Sequence, residues 1–270
     1  MPQAAAAADV QAEFNYYVPT GARPYRLTYA PAPGEAETNA AFHAVRMPVA
    51  DLRGIAAAPD LDREGFAVVA APSVVRNFGD EEAIRTAYYA QSEAIVRQAT
   101  GASRVITFDH TIRRAQAGAD RMPVARVHND YTEVSGPQRV RDLMGDEAEA
   151  LLEKRFAIVN LWRPIGHPVE DAPLAIASAD SVDPRAFVAQ DLIYRDRVGE
   201  TYIVTHAPQH RWHYISRQTP DEAMLIKCYD SATDGRARFT AHSAFYDPAA
   251  PAGARPRESI EIRTLAFFDD

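Results

Sequence analysis

The sequence predicts a mainly β fold with flanking helices, of the α+β class, whose core is a sandwich or jelly roll. Short runs rich in β-branched and aromatic residues follow one another through the second half of the chain, and turns containing Pro, Gly or Asp separate them. Fairly evenly spaced strands of this kind are typical of packed antiparallel sheets. The sequence shows neither βαβ alternation nor a Gly-rich phosphate loop, which argues against a nucleotide-binding fold.

The composition is that of one folded domain. Of the 270 residues, 47% are hydrophobic and 24% are charged, which is enough apolar material for a full core. We expect a single domain over residues 1–270, made of an N-terminal arm (1–40), a supporting region of strands and helices (41–122) and a jelly-roll core (123–268).

Charge and cysteine content limit the partners and the compartment. A formal net charge of −8, without any Lys/Arg run, offers no basic surface to a phosphate backbone, so nucleic acid is not expected as a partner. Cys228 is the single cysteine, which excludes an internal disulfide and a Cys-rich zinc site and favours the reducing cytoplasm. No apolar run approaches the roughly 18 residues of a membrane helix. The Ala run at 4–8 lacks the preceding basic residues of a secretory signal, so we expect a soluble protein without a membrane partner.

Local patterns predict the elements of the first half. Residues 14–39 are rich in Pro, Gly, Tyr and Thr, which favours strands and turns in the arm. The apolar run 66–70 follows a turn and has the length of a strand. Residues 80–100 begin with acidic side chains, repeat apolar ones at helical spacing and precede Gly101, so we predict an amphipathic helix. Apolar residues three and four apart predict a second helix over 137–154.

After the second helix the chain is almost entirely strand-like. Strands are predicted at 155–162, 174–177, 202–204, 212–215, 224–229 and 259–268. Lys227 and Asp230 lie in and beside one of these apolar runs. Because a buried charge needs a partner, we expect them to form a buried pair.

The main chemical signal is the pair His128 and Asp130, which flanks Asn129. On a strand, side chains two residues apart point to the same face. One imidazole and one carboxylate there supply two-thirds of a two-His, one-carboxylate triad, which suits ferrous iron because positions stay open for a co-substrate and dioxygen. The pattern alone is weak evidence, since a His near an Asp is more often a structural hydrogen bond.

A third ligand has to come from a distant strand. The downstream candidates are His167, His206, His210, His213 and His242. His242 is preferred because Arg257 and Ser259 follow it at the start of the last strand. A guanidinium there can pair with the far carboxylate of a dicarboxylic keto acid whose other end chelates the metal, and Ser259 would face the same way. Arg263, deeper in the strand, is the competing anchor, and a solvated surface charge is the simpler interpretation of Arg257 alone.

Two predicted strands offer residues for a substrate pocket. They are Asn160, Trp162 and Arg163 on one strand and His210, Trp212 and Tyr214 on another. Core packing is the alternative for all of them, and for the two tryptophans both interpretations have equal support.

The motifs resemble the Fe(II)/2-oxoglutarate oxygenase superfamily, and more closely its hydroxylase/desaturase family of secondary metabolism, which includes AsaB-like fungal enzymes and CmcJ-like proteins of cephamycin clusters. The resemblance covers nearly the whole chain. The segments on which the resemblance rests include His-Asn-Asp-Tyr-Thr at 128–132, Asn-Leu-Trp-Arg-Pro at 160–164 and Pro-Arg-Glu-Ser-Ile-Glu-Ile-Arg at 256–263. The last block is the most distinctive and also looks like the Arg-x-Ser co-substrate signature of related plant oxygenases.

This resemblance implies a double-stranded β-helix, ferrous iron, and 2-oxoglutarate and dioxygen as co-substrates, with succinate and carbon dioxide as co-products. It makes His128, Asp130 and His242 the metal ligands and assigns 2-oxoglutarate to Arg257 and Ser259. The expected reaction is hydroxylation, desaturation or oxidative cyclisation of a small natural-product-type substrate.

Two features of the sequence bear on that expectation. Asp130 is present, which disfavours the halogenating variants that replace the carboxylate, and His213 stands where relatives are expected to carry Tyr or Trp. Two other classes stay open. A cupin-like metal-dependent enzyme without 2-oxoglutarate would add His206 or His210 and would not need Arg257, whereas in a non-catalytic jelly-roll binding protein the His-x-Asp pair would be structural.

Overall fold

The computed structural model describes residues 9–114 and 123–269, and strands dominate both parts. The strands are β1 Val10–Val18, β2 Tyr25–Leu27, β3 Ala41–Asp51, β4 Phe66–Ala70, β5 Arg104–Arg114, β6 His128–Asn129, β7 Phe156–Pro164, β8 Leu174–Ala177, β9 Phe187–Ile193, β10 Val198–Val204, β11 Trp212–Tyr214, β12 Glu222–Asp230, β13 His242–Ala244 and β14 Glu258–Phe267. The helices are α1 Glu81–Ala83, α2 Tyr89–Thr100, α3 Ser135–Met144 and α4 Ala148–Leu152, with a π-helical turn at Ile84–Tyr88 and 3₁₀ turns at Leu52–Gly54, Gly145–Glu147, Ala179–Ser181 and Pro184–Ala186.

The strands form two sheets that face each other. The larger sheet has nine strands in the order β1-β3-β11-β8-β13-β6-β10-β9-β2, and the smaller has five in the order β4-β12-β7-β14-β5. Among the named strands, β3 with β11 and β2 with β9 pair in parallel, and the other neighbours are antiparallel. From β5 to β8 and from β11 to β14, consecutive strands alternate between the two sheets and pair with strands distant in the sequence, whereas β9 and β10 are neighbours in the larger sheet. Two facing sheets connected in this way form the jelly-roll arrangement that the sequence predicts.

The three central strands of the smaller sheet, β12, β7 and β14, are buried on both faces. Along β7, Ile158 and Trp162 point into a cluster shared with the larger sheet, whereas Val159 and Leu161 point the other way and pack beneath the helical segment 81–100. Every residue of β7 is buried. Because both faces are covered, β7 is an almost continuous apolar run, and any polar side chain that it carries needs a partner inside the protein.

The N-terminal strands extend and close the larger sheet. β1 pairs with β3 from Val10 to Val18, and isolated bridges join Asn15 to Arg126 and Tyr17 to Thr205. The curled sheet encloses a third apolar cluster on the side away from the smaller sheet. β1, β2 and β3 are therefore all part of the larger sheet, and the division into arm, support and core remains a prediction.

The predicted helix at 80–100 is present. Asp80 caps its start by accepting from the backbone N–H of Ala83, and Gly101 ends it with a φ of 74°. The π-helical turn lies between α1 and α2.

The second predicted helix, 137–154, is interrupted. Gly145 has a φ of 53°, a conformation that glycine adopts at little cost, and the chain makes a 3₁₀ turn there before α4 begins. Within the described residues, no helix is both long and apolar enough to cross a membrane.

Candidate metal and co-substrate site

The larger sheet brings together the three residues of the predicted triad. His128 and His242 are direct partners on the antiparallel strands β6 and β13, and Asp130 follows β6. One ligand atom from each residue lies within 4.8 Å of the other two. The imidazole centroids are 4.3 Å apart, and Nε2 of His128 is 3.7 Å from Oδ1 of Asp130. These side chains lie between the two sheets, on the face that His242 shares with its strand partner Ile176.

Backbone carbonyls orient both imidazoles. Nδ1 of His128 donates to the carbonyl of Arg126 at 2.9 Å, and Nδ1 of His242 donates to the carbonyl of Thr240 at 2.9 Å. A proton on Nδ1 leaves the lone pair of Nε2 for a metal. Burial, with a further contribution from His242, holds the pKa of His128 well below its usual range, so this imidazole is neutral.

One oxygen of the Asp130 carboxylate is hydrogen-bonded by protein groups, and the other is directed toward the predicted metal position. Oδ2 accepts from Nδ2 of Asn160 at 2.8 Å and from Nε of Arg263 at 3.2 Å, while Oδ1 faces His128. Burial acts to raise the pKa of Asp130, but the positive charge of Arg263 is among the influences that outweigh it and keep the pKa below the usual range. Two imidazole nitrogens and one carboxylate oxygen form the donor set that suits mononuclear ferrous iron, so these residues fit that metal.

Asn129, the residue between the two ligands, has a role that the sequence did not indicate. Its Nδ2 donates to the carbonyls of Tyr131 at 2.6 Å and Cys228 at 2.8 Å, and its Oδ1 accepts from the backbone N–H of Thr240 at 3.2 Å. Asn129 thus ties β6 to β12 and to the residue whose carbonyl orients His242. Its place between the two ligands was the only sign of importance in the sequence. The role itself depends on contacts with residues about 100 positions away, which a local pattern does not reveal.

Arg257 and Ser259 form a buried polar site at the start of β14. Nη1 of Arg257 donates to the carbonyl of Ala172 at 2.7 Å, and the guanidinium lies 5.3 Å from the ring centroid of Trp162. Nε of Arg257 and Oγ of Ser259 are buried without a hydrogen-bond partner among the described residues. Burial lowers the pKa of Arg257 to about 10, so it stays charged at neutral pH. Buried donors without partners are uncommon, and this pair suits a carboxylate.

The hydrogen-bond donors of Arg263, the competing anchor for the keto acid, are already bonded to protein groups. Besides Asp130, its guanidinium donates to Asp109 at 3.1 Å, to Thr111 at 3.0 Å and to Glu261 at 3.4 Å. This arrangement favours a role in holding Asp130 over one in binding a keto acid. Arg263 reaches Asp130 because the register of β14 on β7 places Arg263 opposite Asn160. The sequence around Arg263 does not predict this register.

Of the pocket candidates on β7, the structure brings two to the triad side. Asn160 bonds to Asp130, and Trp162 lies beneath Arg257. Arg163 faces the other way. Its Nη1 donates to the carbonyls of Ala71 and Pro220 at 2.6 and 3.2 Å, on the side where helical residues cover the sheet, so a substrate at the triad would not reach it.

The candidates on and before β11 lie in the third cluster, away from the triad. Trp212 stacks on Phe14 with centroids 4.1 Å apart, Tyr214 packs 5.5 Å from Phe245, and Nδ1 of His210 is 3.0 Å from the hydroxyl of Tyr16. This cluster contains Val127 and Ala241, the residues before His128 and His242. Since neighbouring residues on a strand face opposite sides, the packing interpretation fits these residues and the pocket interpretation does not.

The remaining histidines also lie apart from the triad. Nδ1 of His167 is 2.8 Å from the carbonyl of Pro168, His206 packs against Tyr16, and His213 lies 5.7 Å from the ring of Phe66. Of the five downstream candidates, His242 is the one that the structure brings to His128 and Asp130.

Comparisons with known proteins agree with the geometry. A family model described as an oxidoreductase/YMDC permease-like domain matches residues 14–267. A hydroxylase/desaturase, efuI, of Hormonema carpetanum is 33% identical over 252 residues, 82% of this chain and 83% of the relative. An Fe(II)/2-oxoglutarate-dependent dioxygenase, nvfI, of Aspergillus novofumigatus is 32% identical, with 90% of each protein covered. A solved structure of the iron and alpha-ketoglutarate-dependent endoperoxidase NvfI superimposes with a TM-score of 0.89 at 28% identity over 96% of this chain and 98% of that one.

The fold and the relatives define a non-haem iron oxygenase of jelly-roll type. The chain belongs to the hydroxylase/desaturase family of Fe(II)/2-oxoglutarate-dependent oxygenases. The predicted family, enzyme class and dependence on iron, 2-oxoglutarate and dioxygen are thereby confirmed. Family membership disfavours the cupin-like and the non-catalytic alternatives.

Proposed function

We propose that this oxygenase oxidises a small natural-product-type molecule by hydroxylation, desaturation or oxidative cyclisation, with iron on His128, Asp130 and His242 and 2-oxoglutarate on Arg257 and Ser259. The observation that carries the proposal is the approach of the three ligand atoms to within 4.8 Å of one another. The relatives' names describe hydroxylases, desaturases and an endoperoxidase, which supports oxidation of carbon skeletons as the common chemistry.

Each group of the chain has a defined task. When bound, iron and 2-oxoglutarate supply the oxidising chemistry. His128 and His242 would hold the iron through their imidazole nitrogens, and Asp130 would hold it through a carboxylate oxygen that contributes a single negative charge. Arg257 pairs with the far carboxylate of 2-oxoglutarate and Ser259 donates a second hydrogen bond, while Trp162 packs against the guanidinium and limits the access of water.

The ligand assignment is tested by anaerobic spectroscopy. Adding iron(II) and 2-oxoglutarate to the wild-type protein is expected to give a weak visible charge-transfer band, and His128→Ala and His242→Ala are expected to lose it. His167→Ala, which removes an imidazole away from the triad, is the matched control and should keep the band. A band of unchanged intensity in His128→Ala would refute the assignment.

The support of Asp130 by Arg263 gives a separate prediction. Arg263→Lys removes the Nε–H that Oδ2 of Asp130 accepts from, so the carboxylate becomes less well oriented and iron(II) affinity should fall by about 10- to 100-fold. The measurement is an anaerobic iron(II) titration. Arg238→Lys, whose arginine pairs with Glu133, is the control. Equal affinities in wild type and Arg263→Lys would show that Asn160 alone orients the carboxylate.

A further inference from the structure

Arg126 carries a positive charge close to the triad, and no carboxylate of the described residues forms an ion pair with it. It precedes His128 by two residues, and its backbone is extended where it bridges to Asn15, so its side chain leaves the strand on the same face as His128. The charge of Arg126 acts on both His128 and Asp130. Its Nε is buried without a hydrogen-bond partner, and across residues 9–114 and 123–269 no carboxylate lies within ion-pair distance of its guanidinium.

Charged side chains of both signs surround Arg126. The carboxylates of Asp130 and Glu37 act on its guanidinium, but Asp130 is already bonded to Arg263 and Glu37 to Arg26. Arg26 and Arg113 both act on its guanidinium, and Arg26 already pairs with Glu37 at 2.5 Å. A partly buried cation among other cations costs free energy unless an anion joins it. A surface arginine would be solvated, whereas the Nε–H of Arg126 is buried and has no acceptor in the part of the chain that the structure describes.

The 2-oxoglutarate site does not account for this charge. Arg257 and Ser259 already offer unpartnered donors for the far carboxylate of the co-substrate, and Arg263 is saturated by protein groups. Arg126 is therefore an additional cation on the triad's face of the sheet with no ligand assigned to it.

We propose that Arg126 is an anion subsite of the substrate pocket, so that the substrate bears a carboxylate or phosphate group that pairs with this guanidinium. The inference rests on the proposed function, because it takes the triad as the place of oxidation. The anion would fix the substrate at one end and leave a carbon of its skeleton near His128, Asp130 and His242. Specificity would then require both the charge and its distance from the oxidised carbon.

The test uses small anions as probes on the iron(II)-loaded protein, kept anaerobic with saturating 2-oxoglutarate so that the Arg257 site is filled. Sodium acetate or sodium phosphate, compared with sodium chloride at equal ionic strength, is expected to raise the melting temperature of the wild type by about 2–4 °C. The larger of the two shifts identifies the carboxylate or the phosphate as the better match. Arg126→Gln should abolish the shift, Arg126→Lys should retain part of it, and Arg185→Gln, an exposed arginine paired with Asp183, should behave as wild type.

A second readout separates binding from a structural role. Because no carboxylate of the described residues pairs with Arg126, Arg126→Gln without anions should melt at the wild-type temperature or above it, whereas replacing a structural arginine would lower the melting temperature. No anion shift in the wild type, an equal shift in Arg126→Gln, or a weaker 2-oxoglutarate affinity in Arg126→Gln would each overturn the proposal. The charge-transfer band on the same samples distinguishes the two failures: its absence in the wild type refutes the proposed function, and its presence without an anion shift refutes the subsite alone.

Discussion

Arg257→Gln is expected to raise the KM for 2-oxoglutarate by roughly 30-fold to several thousand-fold, which corresponds to about 2–5 kcal/mol for removing one partner of a buried charge pair. The amide keeps a hydrogen-bond donor, but it lacks the positive charge, and the backbone N–H of residue 257 can still donate to Asp171. Iron affinity should stay near the wild-type value, because residue 257 is outside the triad. The measurement is the KM for 2-oxoglutarate beside an iron(II) titration.

Two comparisons make this result specific. Arg255→Gln removes an exposed arginine two residues earlier that pairs with Glu170, and its KM for 2-oxoglutarate should match the wild type. The keto acid 2-oxobutyrate lacks the far carboxylate, so its affinity should be the same in the wild type and in Arg257→Gln. If the KM for 2-oxoglutarate is unchanged in Arg257→Gln, the far carboxylate binds elsewhere and Arg257 is a structural residue.

The elements that the sequence predicts well are those whose signal is local. β4 and β8 have the predicted bounds, and the helix before Gly101 carries its own cap and stop residues. β5 and β9 were not anticipated. β5 lies at the edge of the smaller sheet and begins and ends with arginines, so its polar residues obscure the alternation that identifies a half-buried strand.

The residues of the candidate site also fall into two groups, those with a local sequence signal and those without one. His128 and Asp130 follow from a three-residue spacing, and His242 from the Arg-x-Ser pair that comes after it in the last strand. The roles of Asn129 and Arg263 depend on contacts between strands far apart in the sequence. A local pattern does not contain strand register, so these supporting residues appear only in the folded chain.

The pocket candidates on β11 show that a shared strand face is not enough to place residues in the substrate pocket. Trp212 and Tyr214 do lie on one face of β11, as their spacing predicts, but that face is turned to the third cluster. Both faces of the larger sheet are apolar there, because β1 and β3 curl over the side away from the triad. When a strand is covered on both sides, alternation tells which residues share a face and not which face meets the site.

Asp230→Ala is expected to lower the free energy of unfolding by about 3–5 kcal/mol, because it takes the shared anion from the buried Lys227 and the partly buried Arg155. Asp230 has no exposed side-chain surface; its Oδ2 accepts from Lys227 at 3.0 Å and from Arg155 at 2.8 Å. Residues three apart on a regular strand would face opposite sides, and the irregularity between Lys227 and Tyr229 in β12 allows this pair to meet. The buried pair predicted from the sequence is confirmed.

Lys227 would keep one other partner after this substitution, the carboxylate of Asp62, which is half exposed and therefore compensates a buried ammonium only in part. Denaturant unfolding of Asp230→Ala and of Asp234→Ala, an exposed aspartate paired with Arg236, gives the comparison, and Asp234→Ala should change stability by less than about 1 kcal/mol.

The stability that Asp230 contributes should depend on pH in a definite direction. Although burial acts to raise the pKa of Asp230, its bonds to Arg155 and Lys227 lower it below the unfolded value, so the contribution is complete above about pH 4 and is lost as the pH falls toward the folded pKa. The stability difference between wild type and Asp230→Ala should therefore shrink in acid, and a difference that stays constant down to low pH would mean that lost packing, not lost charge, causes the destabilisation.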